Sequence, residues 1–315
     1  YLDVIKRKSN PYRLINFTNP CSILTQYMRE IYRLPAIGIC DYPQMMKTKI
    51  AAALECDIAQ VDMGYVGLNH FGVVYSVLVD GEEQLNRLLS KEFDIQLPFK
   101  PECNRYFDTL LNVSWRYVFE HDDVVQEQQS KINRAAQLLE FEQSMDGLLR
   151  DGVRTPQAYF DVLSQRHCDW FNLVVAPLFA NVLQLAKEPV IANVPVPDKA
   201  DILQVNIPSC VQEGLCDASG LYLQIPNLPE FVRNSQEIAL IRQMKKAERL
   251  LLDGILQKAP KQIIAACIAN PMIREHRKVL AYFHEVSQQD LFIHSIFAND
   301  SNVVEALESV STSKE

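Results

Sequence analysis

Three stretches decide the fold: RLINFTNPCSIL (13–24), AIGICDYP (36–43) and GYVGLNHFGVV (64–74). Each stretch contains a short apolar run that ends close to polar residues, namely Asn19, the pair Cys40 and Asp41, and His70. Such runs, alternating with helical segments, are typical of α/β folds, in which strands deliver side chains to the edge of a sheet. The sequence therefore predicts that these polar side chains converge on one small ligand.

Length and composition indicate an ordinary globular protein. The chain has 315 residues, of which 48% are hydrophobic and 22% charged, with a formal net charge of −8. This length is sufficient for one or two domains with a buried core. The acidic balance argues against a nucleic-acid partner, and no apolar run approaches the ~20 residues that cross a bilayer. Eight cysteines without a CxxC pair are expected to be reduced thiols in a cytoplasmic protein.

The periodicity of apolar residues predicts alternating helices and strands in the first 60 residues. The expected elements are helices near 1–8, 23–32 and 42–54 and strands at 14–17 and 36–39. A later helix is predicted from Asn234 to Leu256, with an apolar stripe and Asn234 as its N-cap. β-rich runs lie between 189 and 229.

No Gly-x-Gly sequence occurs among the ten glycines. A glycine-rich turn at a helix N-terminus usually holds the pyrophosphate of a dinucleotide. Any such element is therefore expected upstream of Tyr1, on a separate segment, or nowhere.

Cys40 and His70 are a natural ligand pair for a divalent metal, and Asp41 beside them can act as a ligand or an acid. Plainer interpretations exist for each residue. Cys40 can be a small buried core residue, and His70 can be bonded to the backbone. Asp41 can cap the following helix, and Asn19 before Pro20 is a common turn dipeptide.

The ordered motifs TNP, GxCDxP and GLNH followed by Phe-Gly resemble the NAD- and manganese-dependent glycosidases of glycoside hydrolase family 4. The resemblance extends to NVPVPDKADILQVNIPSCVQEGL (193–215) and IIAACIANPMI (263–273). It implies an α/β fold: the end of a Rossmann-like parallel sheet, followed by an α+β domain like the carboxy-terminal domain of lactate and malate dehydrogenases. The expected domains are a Rossmann remnant (1–65), a substrate- and metal-binding domain (66–300) and a polar tail (301–315).

The resemblance also implies a reaction that departs from the two-carboxylate rule of glycosidases. NAD oxidises C3 of a sugar, which is expected to carry a 6-phosphate. A base removes the hydrogen at C2, the group at C1 is eliminated, water adds, and the hydride returns. A divalent metal, expected to be Mn²⁺, would act as Lewis acid. By position, Cys40 and His70 would be metal ligands, Asn19 would contact the sugar, and Asp41 would assist departure at C1.

Two later motifs depart from the family pattern. The general base of the family is a Tyr in a motif like YLxYY, whereas this chain reads PECNRYF, which retains Tyr106 and has Cys103 at the first Tyr position. The later stretch RHCDWF retains Arg166, a candidate substrate contact, and little else. An Asp after the Cys is more similar to the 6-phospho-α-glucosidases than to the β-acting members, many of which carry Asn there.

These departures leave alternatives open. The chain alone is expected to be inactive without a nucleotide-binding segment, and a homo-oligomer is expected. The alternatives are a degenerate, non-catalytic paralogue that binds a sugar or metal, and the carboxy-terminal part of a hydroxy-acid dehydrogenase. The dehydrogenase is disfavoured because such enzymes use an Arg and His pair rather than Cys beside Asp.

Overall fold

The structure is a computed structural model that describes residues 2–7, 12–90, 106–164, 170–183, 185, 190–196, 211–215 and 228–311. Within these residues the strands are β1 (Leu14–Asn16), β2 (Ala36–Gly38), β3 (Val61–Leu68), β4 (Phe71–Val79), β5 (Glu82–Glu83), β6 (Leu110–Leu111), β7 (Ile191–Pro195) and β8 (Val211–Leu215). Single turns of 3₁₀-helix lie at Ile58–Gln60 and Val113–Trp115, and a π-helical segment at Phe171–Val175.

The α-helices of the described residues surround these strands and dominate the second half of the chain. They are α1 (Leu2–Lys6), α2 (Cys21–Glu30), α3 (Tyr42–Ala53), α4 (Leu85–Leu88), α5 (Arg116–Phe119), α6 (His121–Ser130), α7 (Arg134–Arg150), α8 (Pro156–Ser164), α9 (Ala176–Val182), α10 (Glu230–Arg233), α11 (Gln236–Gln257), α12 (Pro260–Ala269), α13 (His276–Gln289), α14 (Leu291–Phe297) and α15 (Ser301–Ser311). None of the helices in the described part of the chain is both long and apolar enough to cross a membrane.

The described strands form one mixed sheet in the order β1-β2-β7-β8-β3-β4-β5, with β6 paired to β4. Strands β1 and β2 are parallel, with Leu14 opposite Ala36 and Asn16 opposite Gly38. The pairings from β2 to β7 and onward are antiparallel. A short parallel part that continues into an antiparallel part confirms the predicted α/β class.

Strands β3 and β4 form a hairpin that the sequence analysis did not predict. Leu68 pairs with Phe71, so Asn69 and His70 form a two-residue turn. Gly67 and Gly72 face each other across the hairpin, and a Cβ on Gly67 would lie 2.3 Å from the Cα of Gly72. Only glycine therefore lets the two strands approach this closely beside the turn.

The main core lies between this hairpin and the helices α3 and α11. Met46 and Ile50 of α3 pack against the hairpin, and the predicted apolar stripe of α11 contributes Ile238 and Ile241 to the same core. Trp115, which is fully buried, stacks on Phe71 at a centroid distance of 3.9 Å. Burial of this apolar surface fixes the hairpin tip against two helices.

The predicted N-cap of the long helix was one residue too early. Asn234 ends the short helix α10, and its N–H donates to the carbonyl of Glu230. Ser235 caps α11 instead, because its Oγ accepts a hydrogen bond from the N–H of Ile238 at 3.2 Å. Pro260 stands in the first turn of α12, where the missing N–H costs no hydrogen bond.

A second core lies near the carboxy terminus, between α12 and the helices α13 to α15. It contains Phe283 and Phe297, whose rings stack at 4.8 Å, together with Val303 and Leu307. The segment interpreted as a polar tail from 301 therefore begins with a helix whose apolar face is buried. The domain boundaries at 65/66 and 300/301 remain predictions.

Candidate metal centre and adjoining cavity

Cys40 and Asp41 connect β2 to α3. Cys40 is 4% exposed, and Asp41 occupies the N-cap position of α3. The plainer interpretation of Asp41 was a capping side chain. Its backbone carbonyl does accept from the N–H of Met45, but its carboxylate makes no capping hydrogen bond. The carboxylate is therefore not committed to holding the helix end.

His70 is the second residue of the β3–β4 turn. It has a φ of 62°, a left-handed conformation that is uncommon outside glycine and costs conformational free energy. Its carbonyl accepts a hydrogen bond from the N–H of Ser114 at 3.2 Å. Its ring meets the ring of Tyr42 edge-on, with centroids 5.0 Å apart. The backbone hydrogen bond from Ser114 and the ring contact with Tyr42 together restrict where the imidazole lies.

The side chains of Cys40, Asp41 and His70 form one cluster. One ligand atom from each residue lies within 4.8 Å of the others. In the strand order, β2 and β3 are three steps apart, which in a flat sheet would separate them by about 14 Å. The cluster forms because the chain leaves β2 and turns into α3, which packs on β3.

Local electrostatics favour the metal-binding form of the histidine. Burial lowers the pKa of His70, and the nearby Asp41 carboxylate opposes that shift only in part. The imidazole is therefore neutral near pH 7 and has a lone pair to offer. The N–H of Tyr42 donates to the Cys40 Sγ at 3.4 Å, and the Sγ lies 3.9 Å from the Oδ1 of Asp41. Burial, followed by the charge of Asp41, raises the pKa of Tyr42, so its hydroxyl stays protonated.

These three residues fit a divalent first-row metal. An ion bound at about 2.0–2.3 Å from each ligand atom joins atoms that are up to about 4.5 Å apart, close to the spacing of the cluster. Imidazole nitrogen, thiolate sulfur and carboxylate oxygen are all ligands of such metals. Cys40 and His70 alone, or together with Asp41, leave coordination positions for substrate or water oxygens, as in catalytic sites.

A cavity of about 530 Å³ adjoins the cluster, and both His70 and Asn19 line it. Asn19 is exposed and is joined by a cis peptide bond to Pro20, the N-cap residue of α2. Asn69 also lines the cavity, and its buried Nδ2 has no hydrogen-bond partner among the described residues. Asn19 therefore lines the same ligand-sized cavity as His70, and its contact with a sugar stays a prediction.

Of the two remaining predicted residues, Tyr106 and Arg166, the structure describes only Tyr106. Tyr106 is 83% exposed and does not line the cavity, so its role as general base remains a prediction. Arg166 lies outside the described residues. The sequence analysis missed Tyr42, which contacts His70, and Asn69, which precedes it. It also missed Glu248 in the cavity wall. The alternation of apolar residues on both sides of Asn69 and His70 was the signal that could have revealed the turn.

Comparison with known families gives a match over most of the chain. The sequence model described as the Family 4 glycosyl hydrolase C-terminal domain matches residues 65–273. The 6-phospho-beta-glucosidase BglT of Thermotoga maritima is 21% identical over 288 residues, which cover 86% of this chain and 65% of that protein. A probable 6-phospho-beta-glucosidase of Bacillus subtilis is 21% identical over 291 residues, covering 82% of this chain and 61% of that protein. The chain thus spans less than two thirds of the length of these two relatives.

Solved structures share the fold. The T. maritima 6-phospho-beta-glucosidase, solved with NAD and glucose-6-phosphate, superimposes with a TM-score of 0.72 at 21% identity, over 92% of this chain and 69% of that one. A 6-phospho-alpha-glucosidase from gut microorganisms, solved with NAD and Mn²⁺, gives a TM-score of 0.67 at 16% identity, over 96% and 70% of the two chains. At these identities the likeness establishes the fold alone.

Proposed function

The chain belongs to family 4 of the glycosyl hydrolases, and from this premise we propose that its site serves the cleavage of a 6-phosphorylated glucoside with NAD and a divalent metal. The observation that carries the proposal is the cluster of Cys40, Asp41 and His70 beside a cavity lined by Asn19. The relatives named as 6-phosphoglucosidases support the substrate class, and solved relatives that contain NAD and Mn²⁺ support the cofactors.

Each residue of the site has a distinct part in this proposal. Cys40 and His70 would hold the metal, which when bound supplies Lewis-acid stabilisation of charge on sugar oxygens. Asn19 would orient the sugar by hydrogen bonds through its amide. Asp41, in its protonated carboxylic acid form, would deliver a proton to the leaving oxygen at C1, and its side chain makes no hydrogen bond that holds the helix end. Burial lowers the pKa of His70, which keeps the imidazole neutral and able to bind the metal.

The proposal includes a limit on activity. The chain contains no Gly-x-Gly sequence, and hydride transfer needs a bound dinucleotide. We therefore expect the 315-residue chain to bind metal without sustained turnover unless a nucleotide-binding segment is supplied.

Metal binding provides the first test. Mn²⁺ titration of the parent chain, followed by electron paramagnetic resonance, is expected to give one site. Cys40→Ser and His70→Asn should each weaken binding about 10- to 100-fold, because each removes a ligand. Cys267→Ser is the matched control, since Cys267 lines the same cavity but lies outside the cluster. Binding that is unchanged in both ligand variants would overturn the metal assignment.

Turnover provides the second test. The chain is incubated, with and without a nucleotide-binding segment supplied as a second polypeptide, with NAD, Mn²⁺ and chromogenic 6-phospho-α- and 6-phospho-β-glucosides in D₂O. Release of the chromophore with deuterium at C2 supports the oxidation–elimination route and identifies the anomer. Sustained release without any second polypeptide contradicts the expected inactivity of the isolated chain.

A second function is favoured by one observation. Tyr106, the retained Tyr of the base motif, is largely exposed and does not line the cavity. A chain without a general base could still bind a sugar and a metal without cleaving the sugar. Exchange of the C2 hydrogen with solvent separates the two functions, because it requires the base and mere binding does not.

A further inference from the structure

Asn16 is the last residue of β1, and its buried side chain bonds to the connection that contains Asn19. The Oδ1 of Asn16 accepts a hydrogen bond from the N–H of Thr18 at 3.1 Å, and its Nδ2 lies 3.4 Å from the Thr18 carbonyl oxygen. An Asn side chain that bonds to the backbone two residues later stabilises a change of chain direction. Asn16 therefore holds both backbone groups of the residue directly before Asn19.

The same amide group reaches the helix that follows Asn19. The Nδ2 of Asn16 donates to the Oγ1 of Thr25 at 3.1 Å and lies 3.3 Å from the carbonyl oxygen of Cys21. Both of these residues belong to α2, and both are buried. Asn19 thus lies between two segments of chain that are bonded to one side chain.

The backbone of Asn16 faces the strand that leads to the metal cluster. Its carbonyl accepts a hydrogen bond from the N–H of Ile39 at 2.9 Å, and the Sγ of Cys21 lies 3.6 Å from the Ile39 carbonyl oxygen. Ile39 directly precedes Cys40. Through its backbone and its amide, Asn16 therefore connects the segment that carries Asn19 to the segment that carries a proposed metal ligand.

We propose that Asn16 is a positioning residue, whose side-chain amide holds Asn19 where one sugar can meet both Asn19 and the metal. The inference rests on the proposed function, in which Asn19 orients the sugar. Asn16 does not line the cavity, so it acts through Asn19 rather than on a ligand. The backbone pairing of β1 with β2 does not use the amide. Loss of the amide should therefore release the Asn19 connection and leave Cys40 in place.

The first test separates sugar binding from metal binding. Asn16→Leu replaces the amide by an apolar group and removes every side-chain hydrogen bond of Asn16. Calorimetry with glucose 6-phosphate on the Mn²⁺-loaded full chain is expected to show a Kd about tenfold higher, because Asn19 is no longer held in place. The Kd for Mn²⁺ should stay within about twofold, since Cys40 and His70 are unchanged.

A milder variant and a matched control use the same chemical change at two buried positions. Thr25→Val removes one acceptor of the Asn16 amide and should raise the Kd for glucose 6-phosphate about threefold. Thr109→Val removes a hydroxyl that donates to Glu237 at 2.8 Å. Thr109 neither lines the cavity nor belongs to the cluster, so both Kd values should stay at those of the parent.

A double-mutant cycle tests whether Asn16 acts through Asn19. Asn19→Ala alone should raise the Kd for glucose 6-phosphate about tenfold, and adding Asn16→Leu should change it less than about twofold further. Thr25→Val takes the place of Asn16→Leu in the cycle if the Leu variant does not fold.

Three results would overturn the inference alone: fully additive losses in the cycle, an unchanged sugar Kd in both Asn16→Leu and Thr25→Val, or equal losses of Mn²⁺ and sugar affinity, which indicate a general loss of structure. A parent chain that binds no glucose 6-phosphate in the presence of Mn²⁺ would overturn the proposed function, and the inference with it.

Discussion

At the residue scale, His70 has a left-handed backbone conformation and a partly buried ring. Its φ of 62° is one that Asn adopts more readily than most residues and that β-branched residues avoid. Its ring is half-buried against Tyr42 and has a lowered pKa. The backbone conformation and the ring contacts therefore restrict position 70 independently, and different substitutions can test each restriction.

Two substitutions at His70 are both expected to weaken metal binding but to differ in their effect on the free energy of unfolding. His70→Asn should keep the free energy of unfolding within about 0.5 kcal/mol of the parent, because Asn tolerates the left-handed region. His70→Val should lose about 1–3 kcal/mol from backbone strain. Urea unfolding of the metal-free proteins measures both values. Equal stability of the two variants would contradict the assigned strain.

Sequence motifs were sufficient to select Cys40, Asp41 and His70, because ligand types in a known order are visible without coordinates. They could not select Glu248, which meets Ser22 only through the packing of α11 on α2, across 226 positions of sequence. The motifs could not indicate Tyr42 either, because an aromatic residue in the first turn of a helix gives no local signal for its contact with His70.

At the scale of single elements, the β3–β4 hairpin determines where the imidazole lies. The glycines Gly67 and Gly72 face each other directly below the turn, and Gly67 has a φ of 153°. Individual strands followed the apolar alternation that the sequence shows. The pairing itself depended on a turn, Asn-His, that is not among the dipeptides that commonly mark hairpins. Strand pairing was therefore harder to predict than strand location.

Substitution of Gly67 tests how tightly the hairpin positions the site. In Gly67→Ala the new Cβ would lie 2.3 Å from the Gly72 Cα and 2.8 Å from the Phe71 oxygen. The strands must separate, which should cost about 2 kcal/mol or more and weaken Mn²⁺ binding. Gly147→Ala, in α7 with open space around it, should be neutral or stabilising. Thermal unfolding and the metal titration together measure both effects, and undiminished Mn²⁺ affinity in Gly67→Ala would contradict this role of the hairpin.

At the scale of the whole molecule, the helices α7 and α8 stand apart from the cores, since neither contains a buried residue. Leu149 and Phe160 are each 64% exposed, and Leu139 is 53% exposed. The helices α7 and α8 contact each other, and large exposed apolar side chains often mark an interface. The exposed apolar residues of α7 and α8 are therefore a surface on which the expected homo-oligomer can be tested.

We predict that the chain self-associates through this surface. Sedimentation of the parent chain should give a mass above the 36.0 kDa of one chain. The double variant Leu149→Glu with Phe160→Glu should shift the mass toward a single chain, because charge in an apolar contact opposes burial. Leu291→Glu, at an 88% exposed position on α14, is the control. A parent chain that sediments at 36.0 kDa would contradict the prediction.

The two-residue turn at Asn69 and His70 has a wider consequence. Connections between strands are ordinarily where related proteins gain or lose residues most freely. Here the imidazole belongs to the connection itself, and the strands on either side approach closely at Gly67 and Gly72. One added residue in the turn would therefore move the ring away from Cys40. Insertions that most loops tolerate would therefore displace a metal ligand at this turn, so its length is restricted to two residues.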